Sequence, residues 1–292
     1  MEESMVGRGR DAIEMIVDTD SFQENLVGGV EIDGEFGPGA VVGTALIHGD
    51  SVTIIANDAQ AINPRFPVVY FGVIGMEEAY KMACAVYQTM EADANKPLEE
   101  KRPLVLIVDT PGNGPGKIEE IIGMNKATGA YQLALAEARK AGHPIVAMVI
   151  GRAISGAFLC HGLQADHILA LPREYGTVIH VMPLSSISRI TKMDIESLNE
   201  LSKQSPVFAS GVEFFYRLGG VEEIVPTPHE MGCYISRHID QIRQLKRQGR
   251  FDQTGPWGRG LLGAQRKGRN TREQVINHIE KQFTPLTDRY VK

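Results

Sequence analysis

Two stretches in the middle of the chain are apolar throughout. Residues 104–108 read Leu-Val-Leu-Ile-Val, and residues 145–150 form a second run of the same kind. Uninterrupted runs are typical of parallel strands that are covered on both faces. Each run leads through a loop rich in small residues into a helix-like segment: 117–140 predicts one long Ala-rich helix, and 155–162 predicts a helix start. This order predicts a parallel sheet with right-handed crossovers.

Shorter patterns flank this central unit. Two alternating runs, 41–47 and 52–56, are separated by Gly49-Asp50 and predict a β-hairpin. Further helices are predicted at 11–17, 75–92, 195–203 and 212–218, and a short strand at 178–181. The run Gly255-Pro256-Trp257-Gly258 is expected to break a helix on either side. We therefore expect one domain over residues 1–230. A basic, mostly helical extension over 231–292 would pack on that domain or on a partner subunit.

Composition and charge exclude several classes of protein. Of the 292 residues, 43% are hydrophobic and 23% charged, which is ordinary for a globular domain. A net charge of −6 argues against nucleic acid as a partner. No stretch approaches the ~20 apolar residues of a membrane span, and residues 1–20 lack the apolar core of a signal peptide. We therefore expect a cytoplasmic protein with no membrane partner.

Two local features leave alternatives open. Cys84, Cys160 and Cys233 are far apart and lack metal-binding spacing, so we expect buried thiols rather than a disulfide framework or a metal site. Residues 237–272 contain ten Lys or Arg but two acidic residues. This segment is either a solvated face or a surface for an anionic partner, such as an acidic protein or a phosphate-bearing cofactor arm.

Two loops are candidates for chemistry because each follows a predicted parallel strand. Ligands of such sheets collect beyond the carboxyl ends of the strands. Residues 112–116 and 151–157 are small, lead into helices and can offer free N–H groups to a substrate oxygen, as an oxyanion hole requires. A purely structural role for these glycines stays open. A P-loop is disfavoured because Ile118 follows Lys117, and the glycine spacing does not match a dinucleotide site.

A serine hydrolase is the rival reading. Ala153-Ile154-Ser155-Gly156-Ala157 is similar to a G-x-S-x-G nucleophile elbow with alanine at both outer positions. Ser155 would then need a histidine and a carboxylate beside it. The sequence offers His161, His167, His180 and Asp166 for these roles. His161 follows Ser155 on the same predicted helix, and we expect a structural role for it.

Several motifs together resemble a known family. Asp109-Thr110-Pro111-Gly112, then Pro115-Gly116 and a long helix, resemble the second-half domain of acyl-CoA carboxyltransferases. Ser155-Gly156-Ala157 matches the Gly-Gly-Ala that follows a strand in that family, and the resemblance spans about residues 10–230. Biotin-using members usually have an aromatic residue at the position of Asn113 and glycine at that of Ser155. With these departures, the segment 36–43 and the basic tail, the chain resembles gamma subunits of biotin-independent malonate decarboxylases.

The resemblance implies a fold, a reaction and partners. The fold would be α/β, a crotonase/ClpP-like superhelix of (ββα) units as in carboxyltransferase domains. The beta subunit would supply the missing half of the active site. The substrate would be a malonyl thioester on an acyl-carrier subunit with a CoA-like prosthetic arm, leaving an acetyl thioester and CO2. The resemblance implies no biotin, no metal and no cofactor bound tightly to this chain.

We therefore predict roles for two sets of residues. Gly156 and Ala157 would form an oxyanion hole with their N–H groups, and Ser155 would shape the turn. Gly112, Asn113 and Gly114 would position the substrate. Two alternatives remain: a hydrolase of the crotonase/ClpP type that uses Ser155, and a non-catalytic scaffold that completes the site of the beta subunit. The sequence does not identify the group that protonates the product.

Overall fold

The computed structural model describes residues 3–114, 116–180, 182, 184–204 and 211–290. Within these residues the strands are β1 Gln23–Glu24, β2 Leu26–Val27, β3 Val30–Glu31, β4 Ala40–Ile47, β5 Asp50–Asn57, β6 Leu104–Thr110, β7 Ile145–Ile154, β8 His167–Ala170, β9 Val178–His180 and β10 Glu223–Ile224. The helices are α1 Gly9–Ile16, α2 Met76–Ala92, α3 Lys117–Ile122, α4 Met124–Lys140, α5 Ser155–His161, α6 Leu184–Thr191, α7 Ile195–Gln204, α8 Val212–Arg217, α9 Met231–Arg247, α10 Gly255–Gln265, α11 Arg272–Phe283 and α12 Thr287–Tyr290.

The main sheet has the strand order β1-β4-β5-β6-β7-β8-β10. The β4–β5 hairpin is antiparallel, as the sequence predicts, whereas β5 to β8 run parallel to one another. β9 pairs with the far end of β7, so β7 continues beyond the predicted end at residue 150. The carboxyl ends of β6 and β7 therefore meet at one edge of the sheet.

Both faces of the sheet are covered, which explains the continuous apolar runs. Along β7, Ile145 and Ala147 pack with α2 and α4, while Val146 and Met148 pack with α1 and α9 on the opposite face. Side chains alternate in this way because the strand has a period of two. The four central strands thus carry a hydrophobic core on each side.

Two predictions about helices are wrong. The predicted single helix at 117–140 is two helices, α3 and α4, because Gly123 between them has a φ of 122°, which breaks the helical path. The run that begins at Gly255 starts α10 instead of breaking a helix. Proline is accommodated there because Pro256 lies in the first turn, where its missing N–H has no helical partner to lose.

Most basic side chains of the segment 237–272 form hydrogen bonds or ion pairs within the chain. Seven of its ten basic residues bond to carbonyl or carboxamide oxygens or to carboxylates of this chain: Arg237, Arg243, Lys246, Arg250, Arg259, Arg266 and Arg269. Lys246, at the end of α9, is buried and bonds to Asp166. This explains much of the basic bias without an anionic partner. Among the described helices, none combines the length and apolarity that crossing a bilayer requires.

Candidate active site

The two glycine-containing loops lie side by side at the carboxyl edge of the sheet. Past a register shift, Thr110 at the end of β6 pairs with Ala153 near the end of β7. The loop after β6 is held like an extra strand beside Ile74. The Ile74 N–H donates to Gly112 O at 3.0 Å, and the Gly114 N–H donates to Ile74 O at 2.9 Å. The Gly114 N–H is therefore occupied within the chain, and a substrate contact at this residue must come from another group.

Asn113 is the residue that joins the two loops. An ideal Cβ built on Gly156 would lie 2.3 Å from Asn113 Oδ1, which is far inside van der Waals contact. Glycine at 156 is therefore required by the neighbouring Asn113 side chain. The sequence predicts a place in the site for both residues. Their contact depends on how β6 pairs with β7, and no local sequence pattern determines that pairing.

The backbone N–H groups of Gly156 and Ala157 lie at the start of α5, where Gly156 is partly exposed and Ala157 is buried. Among the described residues, no acceptor bonds to the N–H of Gly156 or of Ala157. These groups lie in the first helical turn, where intrahelical partners are missing. Ser155 is exposed and has a φ of 56°, so the chain enters the helix through a left-handed residue. The arrangement leaves adjacent donors beside Asn113.

An ion pair lies behind the loops. Asp109 at the end of β6 accepts hydrogen bonds from Arg152 N at 2.8 Å and from Arg152 Nε and Nη2 at 2.9 Å each. It also accepts the Gly7 N–H at 2.7 Å, and the Phe71 ring lies 4.1 Å from the guanidinium carbon. This pair fixes the two strand ends relative to each other. Sequence reasoning missed it, although a polar residue closing each apolar run was the available signal.

Glu119 lies under the loop that carries Asn113. It is 1% exposed, and ideal Cβ atoms on Gly114 and Gly116 would come within 2.8 and 2.5 Å of its carboxylate oxygens. Any larger side chain at 114 or 116 would therefore collide with a carboxyl group of the same chain. The sequence interpretation, in which small residues admit a substrate oxygen, does not explain these two positions.

The candidate histidines of a hydrolase are not equivalent. His161 is fully buried: its Nε2 lies 2.9 Å from Ile107 O and its Nδ1 lies 3.0 Å from the Tyr131 hydroxyl. Burial lowers the pKa of His161 to about 4, so the ring is neutral and structural. His167 lies on β8 with its Nδ1 2.9 Å from that of His238. The rings of His161 and His167 therefore contact groups other than Ser155.

Asp166 and His180 are the remaining candidates for a Ser–His–Asp triad. Asp166 Oδ2 bonds to Lys246 Nζ at 2.9 Å and to Ile145 N at 3.0 Å, so this carboxylate has other partners. His180 is the Cα partner of Ile154, the residue before Ser155, and its Nδ1 is buried without a hydrogen-bond partner among the described residues. Strand pairing thus brings one of the three candidate histidines near Ser155, but no acid–base–serine chain is formed within the described residues.

The three cysteines lie in different environments, all of them as free thiols. Cys160 is buried, and burial raises the pKa of its thiol to about 12, although the neighbouring Asn113 side chain lowers it slightly. Cys84 is half-buried, but Cys233 is exposed, so the expectation of three buried thiols is wrong for Cys233. No group of three His, Cys, Asp or Glu side chains converges among these residues as metal ligands would.

Comparison with known proteins identifies the family. The family model described as "Malonate decarboxylase gamma subunit" matches residues 71–283. The chain belongs to this family. It is 65% identical over 282 residues to the malonyl-S-ACP:biotin-protein carboxyltransferase of Malonomonas rubra, covering 96% of this chain and 97% of that protein.

Solved structures confirm the predicted fold class. A chain of the Pseudomonas malonate decarboxylase hetero-tetramer in complex with coenzyme A superimposes with a TM-score of 0.72 at 28% identity, covering 93% of this chain and 99% of that one. The transcarboxylase 12S core superimposes with a TM-score of 0.62 at 22% identity, over 80% of this chain and 40% of that one. The fold is thus that of crotonase-like carboxyltransferase domains.

Proposed function

We propose that this chain supplies one half of an active site that removes the carboxyl group of a malonyl thioester. The observation that carries this proposal is that no acceptor in the described part of the chain bonds to the N–H groups of Gly156 and Ala157, next to Asn113. Breaking the bond between the carboxyl carbon and C2 sends two electrons onto the thioester oxygen as an enolate. Two preformed donors stabilise that oxygen more than the neutral carbonyl, and each is worth roughly 3–4 kcal/mol in comparable sites.

The neighbouring residues have supporting roles in this proposal. Gly112 and Asn113 position the thioester or the departing carboxylate, with Asn113 able to donate and accept hydrogen bonds through its side-chain amide. Gly114 contributes through the fixed shape of the loop, because its N–H already bonds to Ile74. Ser155 sets the left-handed entry into α5, directly before the residues that carry these N–H groups.

An apolar surface beside the site supports docking of a beta subunit. Ile118, Ile121 and Ile122 on the short helix α3 are 65%, 74% and 52% exposed, directly after the loop that carries Asn113. Three exposed isoleucines at this spacing form one face of the helix, and contiguous apolar surface of this kind commonly marks an interface. The Pseudomonas relative is a hetero-tetramer. We propose that the beta subunit covers this face and that an acyl-carrier subunit presents the malonyl group on a CoA-like arm.

The fate of the carboxyl group separates two candidate functions. In the first, CO2 leaves directly and the chain works without biotin, as the residues at 113 and 155 suggest. In the second, the carboxyl group is transferred to biotin on a protein acceptor. The 65% identity to the Malonomonas carboxyltransferase, against 28% to the Pseudomonas decarboxylase chain, favours the second. Both begin with the same enolate.

One assay tests both candidates. The chain is co-purified with its beta subunit and given a malonyl thioester labelled in the free carboxyl group, with and without a biotinylated acceptor protein and with and without avidin. Label released as CO2 despite avidin supports direct decarboxylation. Label on the acceptor, abolished by avidin, supports transfer. An assembled complex that leaves the thioester intact under all conditions refutes the common enolate step.

A further inference from the structure

Two glycines approach one carboxyl group beneath the candidate site, and a third lies close to it. Ideal Cβ atoms on Gly114 and Gly116 would lie 2.8 and 2.5 Å from the nearest carboxylate oxygen of Glu119, whereas one on Gly75 would lie 3.3 Å from it and 2.4 Å from Glu78 and Val69. Gly75 precedes α2, whereas the other two belong to the loop after β6. Real Cβ atoms essentially never come within 3.0 Å of such a neighbouring heavy atom. Glu119 therefore occupies space that side chains at 114 and 116 would otherwise fill.

The same carboxyl group links these segments through polar contacts. Glu119 Oε1 accepts the Met76 N–H at 3.4 Å, at the start of α2. Two residues before Met76, Ile74 makes the paired backbone bonds that hold Gly112 and Gly114. Glu119 thus lies between the start of α2 and the loop after β6, which Ile74 holds through backbone hydrogen bonds. Its displacement would release both sides of this contact.

We propose that Glu119 is a positioning residue for the substrate site: its carboxyl group fixes the 112–114 loop against the start of α2 and thereby holds Asn113 opposite Gly156. The carboxyl group touches no substrate in this proposal and acts through Asn113. The activity test of this inference rests on the proposed function, whereas its structural test does not.

The electrostatic environment agrees with this role. Burial raises the pKa of Glu119, and the nearby N–H groups of Met76 and Gly116 lower it by less. Glu120 on the same helix raises it further, and no Lys or Arg forms an ion pair with Glu119 among the described residues. Glutamine has nearly the same shape as glutamate and keeps an oxygen that can accept the Met76 N–H, so Glu119→Gln is the conservative variant.

A local role has to be separated from the positioning role. Glu119 is the third residue of α3, where glutamate commonly satisfies backbone N–H groups at a helix start. Loss of such a cap lowers stability without changing the turnover of molecules that remain folded. Asp93 is a matched control, because it is 0% exposed and accepts the Arg102 N–H at 2.7 Å before β6, at the opposite end of that strand.

The experiment compares Glu119→Ala, Glu119→Gln, Glu120→Ala and Asp93→Ala in the complex with the beta subunit. We expect Glu119→Ala to lower kcat about 10- to 100-fold, the effect of a misplacement near 1 Å, with KM changed less than about threefold. Glu119→Gln and the two controls keep kcat within about threefold of wild type, although Asp93→Ala loses thermal stability. Unchanged kcat in Glu119→Ala, or an equal loss in Asp93→Ala, overturns the proposal.

Hydrogen exchange gives a second readout that needs no activity. The Gly114 N–H bonds to Ile74 O, so we expect the peptide spanning 112–114 to exchange at least about tenfold faster in Glu119→Ala than in Glu119→Gln. If Glu119→Ala does not assemble, Glu119→Asp replaces it, because the shortened side chain cannot reach Met76. Unchanged exchange in the assembled variant overturns the inference. A wild-type complex that fails to cleave malonyl thioester while the exchange difference holds refutes the proposed function alone.

Discussion

Asn113 Oδ1 occupies the space into which a side chain at residue 156 would project, 2.3 Å from an ideal Cβ on Gly156. This relationship connects the loops after β6 and β7. It makes the position of the Gly156 N–H dependent on the side chain of a residue 43 positions earlier, which gives a direct test of the proposed oxyanion hole.

The first prediction concerns the Gly156 donor. Gly156→Pro deletes the N–H and is expected to lower kcat of the assembled complex about 100- to 1000-fold. Gly156→Ala keeps the N–H but collides with Asn113, so we expect a smaller loss of kcat and a lower melting temperature; the double change Asn113→Gly/Gly156→Ala should restore the melting temperature but not kcat, because Asn113 positions the substrate. Steady-state kinetics and melting curves of the complexes check this. Full activity in a well-assembled Gly156→Pro complex would remove this amide from the mechanism.

The second prediction distinguishes the decarboxylase from the hydrolase. Ser155→Ala is expected to reduce turnover less than about tenfold, because the hydroxyl only supports the turn. A nucleophilic serine requires a loss of about 10⁴-fold or more. Ser155→Gly should retain activity and raise the free energy of unfolding by roughly 1 kcal/mol, since glycine relieves the left-handed strain at φ 56°. His180→Gln serves as the companion variant, and joint near-complete loss in both would favour the hydrolase.

The third prediction concerns acid sensitivity. The pKa of His161 is lowered from 6.5 to about 4, so between these values the unfolded chain binds a proton that the folded chain excludes. Stability from this residue is therefore present above pH 6.5 and is lost as the pH falls towards 4, up to roughly 3 kcal/mol. His167, lowered to about 3, contributes in the same direction. Denaturant unfolding between pH 7 and 5 should show a shallower pH slope in His161→Gln than in the wild type, and an unchanged slope would contradict this account.

The fourth prediction concerns the buried pair of Lys246 and Asp166. Lys246→Met leaves the carboxylate of Asp166 buried without its cation and should lower the free energy of unfolding by roughly 3–5 kcal/mol. Adding Asp166→Asn should recover part of the loss, because the uncompensated charge is then removed. Urea melts of the wild type, the two single variants and the double variant measure this coupling. Additive losses in the double variant would show that the two side chains do not interact.

The fifth prediction tests the apolar face of α3 and the scaffold alternative. Ile121→Asp should weaken assembly with the beta subunit at least about tenfold, because a charge is buried at the interface without a partner. The melting temperature of the isolated chain should not change, since Ile121 is 74% exposed. Leu46→Asp, on β4 at the opposite edge of the sheet, is the control. If Gly156 and Asn113 variants lose only affinity for the beta subunit and keep kcat, the chain is a scaffold.

The sequence predicts the core better than the connections. The hairpin and the parallel strands follow from local apolar patterns, and family resemblance selects Asn113 and Gly156. The break at Gly123 is not readable in the same way, because glycine within an Ala-rich segment is also found inside helices. The neighbours of Asp109 and Glu119 depend on strand register and on α2, so no local pattern contains them.

The bond from Gly7 N to Asp109 Oδ2 links the chain at residue 7 to the end of β6, beside the candidate site. Asp109 also orders Arg152, three residues before Ser155, so a displacement of Gly7 should reach the turn that carries the proposed donors. A protease that cuts the chain next to residue 7 should therefore lower the activity of the complex.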